Sequence, residues 1–191
     1  ELSRWRPELT SYVITGTKPV DRLLLIQFDA IIVNYDVLSA HLESLTSIPV
    51  STLIVDEAHS VKTLKAFGKS AKLSGSKRSV AVAQLASHAS PKRFFLTGTP
   101  LENRPIELWP ILYMIEPARF WNYQLYGTYF CDGKLKMVGP RERRVKTWDF
   151  SGVSNAPKLH RLLSQYMLRR EKAILSLPEK RRQTIHVPLD A

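Results

Sequence analysis

Leu53-Ile54-Val55-Asp56-Glu57-Ala58-His59 is the stretch on which the fold turns. Thr52–Val55 is short, apolar and rich in β-branched residues, and so reads as a β-strand. An uninterrupted apolar run of this kind is expected to be buried on both faces, as in a parallel sheet. It passes without a spacer into two adjacent acids. In open α/β sheets, ligands bind at the carboxyl ends of the strands. A carboxylate placed there suits Mg²⁺, a hard cation that prefers oxygen ligands and keeps several waters. A second carboxylate beside it can take the proton of an attacking water. The same two acids would also serve as a solvent-facing strand-to-loop junction, and a lone His59 is as readily structural as catalytic.

Moving outward, Tyr12–Thr15, Phe28–Asn34 and Arg93–Leu96 have the same short, apolar character. Helical patterns lie between the strands, at about Asp36–Leu45, Ser79–His88 and Pro105–Ile115. Pro110 is expected to kink the last of these or end its regular part. Strand alternating with helix predicts an α/β domain with a parallel sheet. Phe94-Phe95-Leu96-Thr97-Gly98-Thr99-Pro100 repeats the strand-then-turn arrangement. Thr97 and Thr99 are placed to hydrogen-bond toward acids on a neighbouring strand tip, and Gly98 permits a sharp turn. Beyond residue 116 the pattern changes. Phe120–Phe130 and Pro157–Met167 read as helices, Asp132–Gly152 as a long polar loop, and Thr184–Val187 as a strand.

The chain has 191 residues, with 28 Lys+Arg, 17 Asp+Glu and a net charge of +11. At roughly 150 residues per domain, this length fits one domain with an appendage, or part of a larger one. The 44% hydrophobic and 24% charged content fits a globular protein and argues against a disordered tail. A single cysteine, Cys131, excludes an internal disulfide framework and a Cys₄ or Cys₂His₂ zinc site. No apolar run approaches the roughly 20 residues a membrane-spanning helix needs, and no signal peptide opens the chain. Position 1 is Glu rather than Met, so the chain is expected to be processed or part of something longer. Residues 1–133 hold 14 basic and 12 acidic side chains, against 14 and 5 in residues 134–191. The excess concentrates in Lys134, Lys136, Arg141, Arg143, Arg144 and Lys146, in Arg169-Arg170, and in Lys180-Arg181-Arg182. Such a field attracts a polyanion and is screened by salt; an ordinary solvated basic surface would have the same composition.

Taken together, the motifs resemble a known family. A strand ending in Asp56-Glu57-Ala58-His59, followed by one ending in Leu96-Thr97-Gly98-Thr99-Pro100, is similar to motifs II and III of superfamily 2 helicase-like ATPases. Asn103-Arg104-Pro105-Ile106-Glu107-Leu108-Trp109, Leu168-Arg169-Arg170-Glu171-Lys172, Leu177-Pro178-Glu179-Lys180, Val33-Asn34-Tyr35-Asp36 and Arg4-Trp5-Arg6-Pro7-Glu8-Leu9 narrow the resemblance to the Swi/Snf family. Phe130-Cys131-Asp132 and Trp148-Asp149-Phe150-Ser151-Gly152 look most like its HepA-related annealing-helicase branch. The resemblance implies a RecA-like parallel sheet flanked by helices and incomplete at its N-terminal side. Residues 1–116 would be the rear part of the first lobe, 117–181 a helical basic extension, and 182–191 the start of the connection to a second lobe.

It further implies an ATP- and Mg²⁺-dependent motor on double-stranded or branched DNA, gripped through phosphate contacts. Asp56 would hold the metal and Glu57 would activate water. His59 would sense the nucleotide, while Thr97, Gly98 and Thr99 would couple hydrolysis to lobe movement. Lys134–Lys146 and Arg169-Arg170 are the candidate DNA contacts, with a solvated loop and a surface ion pair as their respective alternatives. The setting would be intracellular: nuclear in a eukaryote, cytoplasmic in a bacterium, archaeon or virus, with no membrane. The phosphate-binding pattern G-x-x-x-x-G-K-[ST] does not occur. Gly68-Lys69-Ser70 mimics its end, but Thr63 stands where the first glycine belongs, and the segment follows the Asp-Glu pair rather than preceding it. These residues alone are therefore expected not to hydrolyse ATP. A non-hydrolysing DNA- or protein-binding module and a restriction-type translocase subunit are the competing readings.

Overall fold

The computed structural model describes residues 2–66, 72–88, 92–99, 103–140, 143–170 and 183. In chain order the elements are α1 (Leu2–Trp5), β1 (Ser11–Ile14), α2 (Arg22–Leu25), β2 (Ala30–Val33), α3 (Tyr35–Leu38), α4 (Leu42–Thr46) and β3 (Thr52–Val55). There follow α5 (Lys77–His88), β4 (Lys92–Phe95), α6 (Trp109–Ile115), α7 (Tyr123–Phe130), β5 (Lys134–Val138), β6 (Val145–Asp149) and α8 (Ala156–Leu163). Short 3₁₀ turns cover Ala58–Val61 and Pro105–Leu108. The chain is α/β, as its alternating pattern predicts.

The sheet differs from the expected one. Among the described residues, β1 pairs in parallel with β2, and β3 with β4, as two separate two-stranded sheets. Each pair buries one face only. Leu53 and Val55 of β3 point inward, while Ile54 is 63% exposed. Its cross-strand partner Phe94 is exposed as well, as are Val13 and its partner Ile32. Burial on both faces is thus corrected to burial on one. The outward side chains remain apolar because the strands are built from uninterrupted apolar residues rather than an alternating pattern.

The core forms around α5, whose Ala81, Val82, Ala83, Leu85 and Ala86 are all buried. Small residues here let α5 approach α3, α4 and α6 closely. Trp109, fully buried at the start of α6, stacks on Tyr113 and meets the edge of Tyr123. Pro110 lies in the first turn of α6, where its missing N–H costs nothing. It opens the regular helix rather than kinking or ending it. The helix expected over Asp36–Leu45 is broken into α3 and α4 at His41. That ring is fully buried and its Nε2 lies 2.9 Å from the carbonyl of Gly16. A tertiary hydrogen bond to the loop after β1 therefore takes precedence over helical continuity.

Asp132–Gly152 is not a loop. It is an antiparallel hairpin with Lys134 opposite Asp149, Leu135 opposite Trp148 and Val138 opposite Val145. Gly139, at φ 111°, turns the chain at its tip. The hairpin returns on Phe150, whose ring stacks on Trp148 and meets Tyr123 edge-on. Beyond it, Ser154 N–H donates to the Phe130 carbonyl at 2.8 Å, and Asn155 Nδ2 donates to the Tyr129 carbonyl at 2.7 Å. These bonds seat the start of α8 on the end of α7. The expected strand Thr184–Val187 and Gly68-Lys69-Ser70 lie outside the described residues.

A Cβ added at Gly127 would fall 2.5 Å from the Phe150 ring. Gly127→Ala is therefore expected to overpack this contact and cost about 1–3 kcal/mol. The readout is a lowered urea midpoint at unchanged slope; wild-type stability would contradict the packing.

Candidate functional site

The site is made by the parallel pairing of β3 and β4. Val55 lies opposite Phe95, so both strands end on the same side. The ladder continues past the strand ends. Leu96 N–H donates to the Val55 carbonyl at 2.8 Å, and Ala58 N–H donates back to the Leu96 carbonyl at 2.8 Å. These bonds hold the turn after β3 against the turn after β4. Asp56 and Glu57 are exposed, as a binding role requires, so their charges carry no large burial penalty. Glu57 adopts a left-handed backbone, φ 45° and ψ 49°, which turns the chain sharply into the 3₁₀ turn. Its N–H donates to Asp56 Oδ1 at 2.9 Å.

His59 joins the two motifs. Its Nδ1 lies 3.1 Å from Glu57 Oε2 and 3.4 Å from Thr97 Oγ1. Thr97 Oγ1 in turn accepts from Thr99 N–H at 3.1 Å. The residues expected to act together, Asp56, Glu57, His59, Thr97 and Thr99, therefore share one surface. Gly98 departs from its expected part: its φ is not left-handed, and a Cβ there would meet nothing within 4 Å. The turn itself does not need a glycine at that position.

A third strand end contributes residues that the motif reading did not single out as functional. Tyr35, just after β2, donates its hydroxyl to the Asp56 carbonyl. Burial, and then the nearby Asp56 charge, raise the Tyr35 pKa, which keeps the hydroxyl protonated as a donor. Arg78, from the first turn of α5, lies over the Tyr35 ring at 5.5 Å and pairs with Asp36 at 2.8 Å. Tyr35 and Asp36 stand at a strand's carboxyl end, the one local signal that they share. Arg78 is far from them in sequence, and nothing local marks it. A groove of about 600 Å³ opens here, lined by Tyr35, Asp36, His59, Lys62 and Arg78 among others.

The basic candidates do not act as one cluster. Lys134 pairs with Asp132 at 2.6 Å, and Lys136 pairs with Asp149. The Lys136 ammonium, with Ser151, holds the Asp149 carboxyl down at about 2. Two of the expected phosphate contacts are thus partly neutralised within the hairpin. Arg143, Arg144 and Lys146 stay exposed toward its tip, and Arg141 lies outside the described residues. Arg169 and Arg170 are exposed beyond α8. Among the tryptophans, Trp109 is core, whereas Trp5 is 74% exposed.

Among the described residues no group of three or more His, Cys, Asp or Glu is arranged to hold a metal ion, and no helix is long and apolar enough to cross a membrane. Asp56 presents a hard carboxylate at the end of β3. That suits Mg²⁺, which is commonly held by one or two carboxylates with waters and substrate phosphates rather than by a protein cage.

Tyr35→Phe deletes the hydrogen bond between two strand ends. It is expected to lower stability by about 0.5–1.5 kcal/mol, measured by denaturant unfolding. A variant as stable as wild type would remove this link from the architecture.

Comparison with known proteins agrees with the geometry. The family described as SNF2-related domain matches residues 1–191. The chain is 31% identical over 158 residues to the SWI/SNF-related matrix-associated actin-dependent regulator of chromatin subfamily A-like protein 1 of Drosophila melanogaster, covering 81% of this chain and 18% of that protein. It is 30% identical over 194 residues to the human DNA annealing helicase and endonuclease ZRANB3, covering 97% of this chain and 16% of that protein. To the ISWI chromatin-remodeling complex ATPase ISW1 of Saccharomyces cerevisiae it is 27% identical over 190 residues, 94% of this chain and 14% of that protein. The chain thus spans less than a fifth of the length of these relatives. With the family matched from end to end and its two acid- and threonine-bearing motifs meeting at adjacent strand ends, the chain belongs to the SNF2-related domain family.

Proposed function

We propose that this chain is part of an ATP-dependent motor that moves along double-stranded DNA. In this reading residues 1–116 are the rear of a first RecA-like lobe, with its parallel strands completed and flanked by helices, and 117–181 are a basic extension. Residues 182–191 begin the connection to a second such lobe. The observation that carries the proposal is the contact chain from Glu57 through His59 to Thr97, held by the backbone bonds between β3 and β4. It gives one surface a metal-binding carboxylate, a base, and a link to the next strand.

Asp56 would hold Mg²⁺ and Glu57 would accept the proton of the attacking water. Bound there, the metal would supply charge neutralisation to the phosphates. With its proton on Nδ1, His59 would donate to Glu57 Oε2, orient that carboxylate and leave its other oxygen for water. Any shift of Glu57 as charge develops is felt at Thr97 through the same imidazole, which supports a coupling role for Thr97 and Thr99. Gly98, between them in the same turn, would share that role. The chain's residues include no Gly-rich phosphate cradle, so ATP binding would need more protein than these residues supply. The names of the relatives, an annealing helicase and a remodelling ATPase, favour DNA as the track and, in a eukaryote, the nucleus as the setting. A motor of this kind grips phosphates and leaves bases unread, which suits movement over arbitrary sequence.

In the full-length protein, Glu57→Gln is expected to lower DNA-stimulated phosphate release by about 10²–10⁴-fold, the usual contribution of a general base. Binding of a fluorescent ATP analogue should persist. Wild-type turnover in that variant would remove Glu57 as the base.

A further inference from the structure

A second charged surface lies away from the strand ends, between α7 and α8. It is a shallow groove of about 290 Å³ lined by Arg119, Phe130, Lys158, Arg161, Leu162 and Gln165. Three cations converge there. Among the described residues none of the three makes an ion pair, in contrast to Lys134 and Lys136 on the hairpin.

Two of the three are held in position by neutral partners. Arg119 Nη1 donates to Tyr166 Oη at 2.7 Å and to Gln165 Oε1 at 3.3 Å, and its guanidinium lies 5.5 Å from the Tyr166 ring centre. Lys158 Nζ donates to Tyr129 Oη at 2.9 Å and lies over the same ring. The nearby carboxylate of Glu116 accepts from the Tyr166 hydroxyl. Lys158 and Arg161 sit three residues apart on α8, a spacing that brings like charges together at a small cost in helix stability. The bonds from Ser154 and Asn155 to α7 fix where α8 starts, and so where both cations stand. Oriented cations that make no direct ion pair among the described residues are suited to an oxyanion, and Arg in particular to the paired oxygens of a phosphate.

We infer that the α7–α8 groove takes a backbone phosphate of duplex DNA, held by Arg119, Lys158 and Arg161. This rests on the proposal that the protein binds DNA, and it adds a contact outside both the hairpin and Arg169-Arg170. Phe130 and Leu162 give the groove an apolar floor, against which a deoxyribose can pack while its phosphate meets the cations. A surface of this kind reads no sequence and adds to the salt dependence of binding.

The test uses Lys158→Gln/Arg161→Gln in the full-length protein. Both side chains are exposed, so folding should be retained, as thermal unfolding would verify. Binding of a fluorescent duplex is followed by anisotropy across a salt series. The expected result is affinity weakened about tenfold at fixed salt, equally for unrelated sequences, with the slope of log K against log salt reduced by about 1. Inorganic phosphate at the same ionic strength is the second arm. Wild-type duplex affinity and slope in the variant would overturn the inference while leaving the motor proposal standing. So would phosphate binding that the variant loses with no change in duplex affinity, since the groove would then serve a free anion. Failure of the wild-type protein to bind duplex at all would sink the DNA reading itself, and this inference with it.

Discussion

The parallel pairing of β3 with β4 is the constraint from which the rest follows. Parallel strands end on the same side, so the acids after Val55 and the threonines after Leu96 are brought together without either segment having to reach. An antiparallel pair would have put them at opposite ends of the sheet. Register is fixed by burial: Leu53 and Val55 point into the core, and a slip of one residue would exchange them for exposed Ile54. The two backbone bonds beyond the strands carry that register into the turns, where His59 reaches both Glu57 and Thr97.

The outer faces of the same strands are the counterpart of this arrangement. Ile54 beside Phe94, and Val13 beside Ile32, are apolar pairs turned to solvent. Their composition is that of strands covered on both sides, whereas these residues bury one side. A complete RecA-like lobe, as proposed, would cover the other. The inner face is secured by α5, whose small side chains permit close approach, and by Trp109.

Electrostatics divide the basic third of the chain into parts that composition alone treats as one. On the hairpin, Asp132 and Asp149 answer Lys134 and Lys136. Near α8, Arg119 and Lys158 are met by hydroxyl and amide groups instead. Net charge predicts attraction to a polyanion, but only the pairing of each cation decides where that attraction is strongest.

The sequence by itself determined the elements whose signals are local. The apolar runs became β1 to β4, the helix expected at Ser79–His88 became α5, and Asp56, Glu57, His59, Thr97 and Thr99 could be named as candidates from their place at strand ends and from the family resemblance. The hairpin β5–β6 was also written locally, in the alternation of Lys134, Leu135, Lys136 and Met137 before Gly139-Pro140. Its basic, largely exposed residues looked like a loop because little of it is buried. What only the tertiary structure decided are contacts between distant segments: His41 on Gly16, Tyr35 on Asp56, Arg78 over Tyr35, and three cations gathered at α8. These depend on which surfaces meet when the core closes, and hydrophobic periodicity encodes which face turns inward but not which polar group waits opposite.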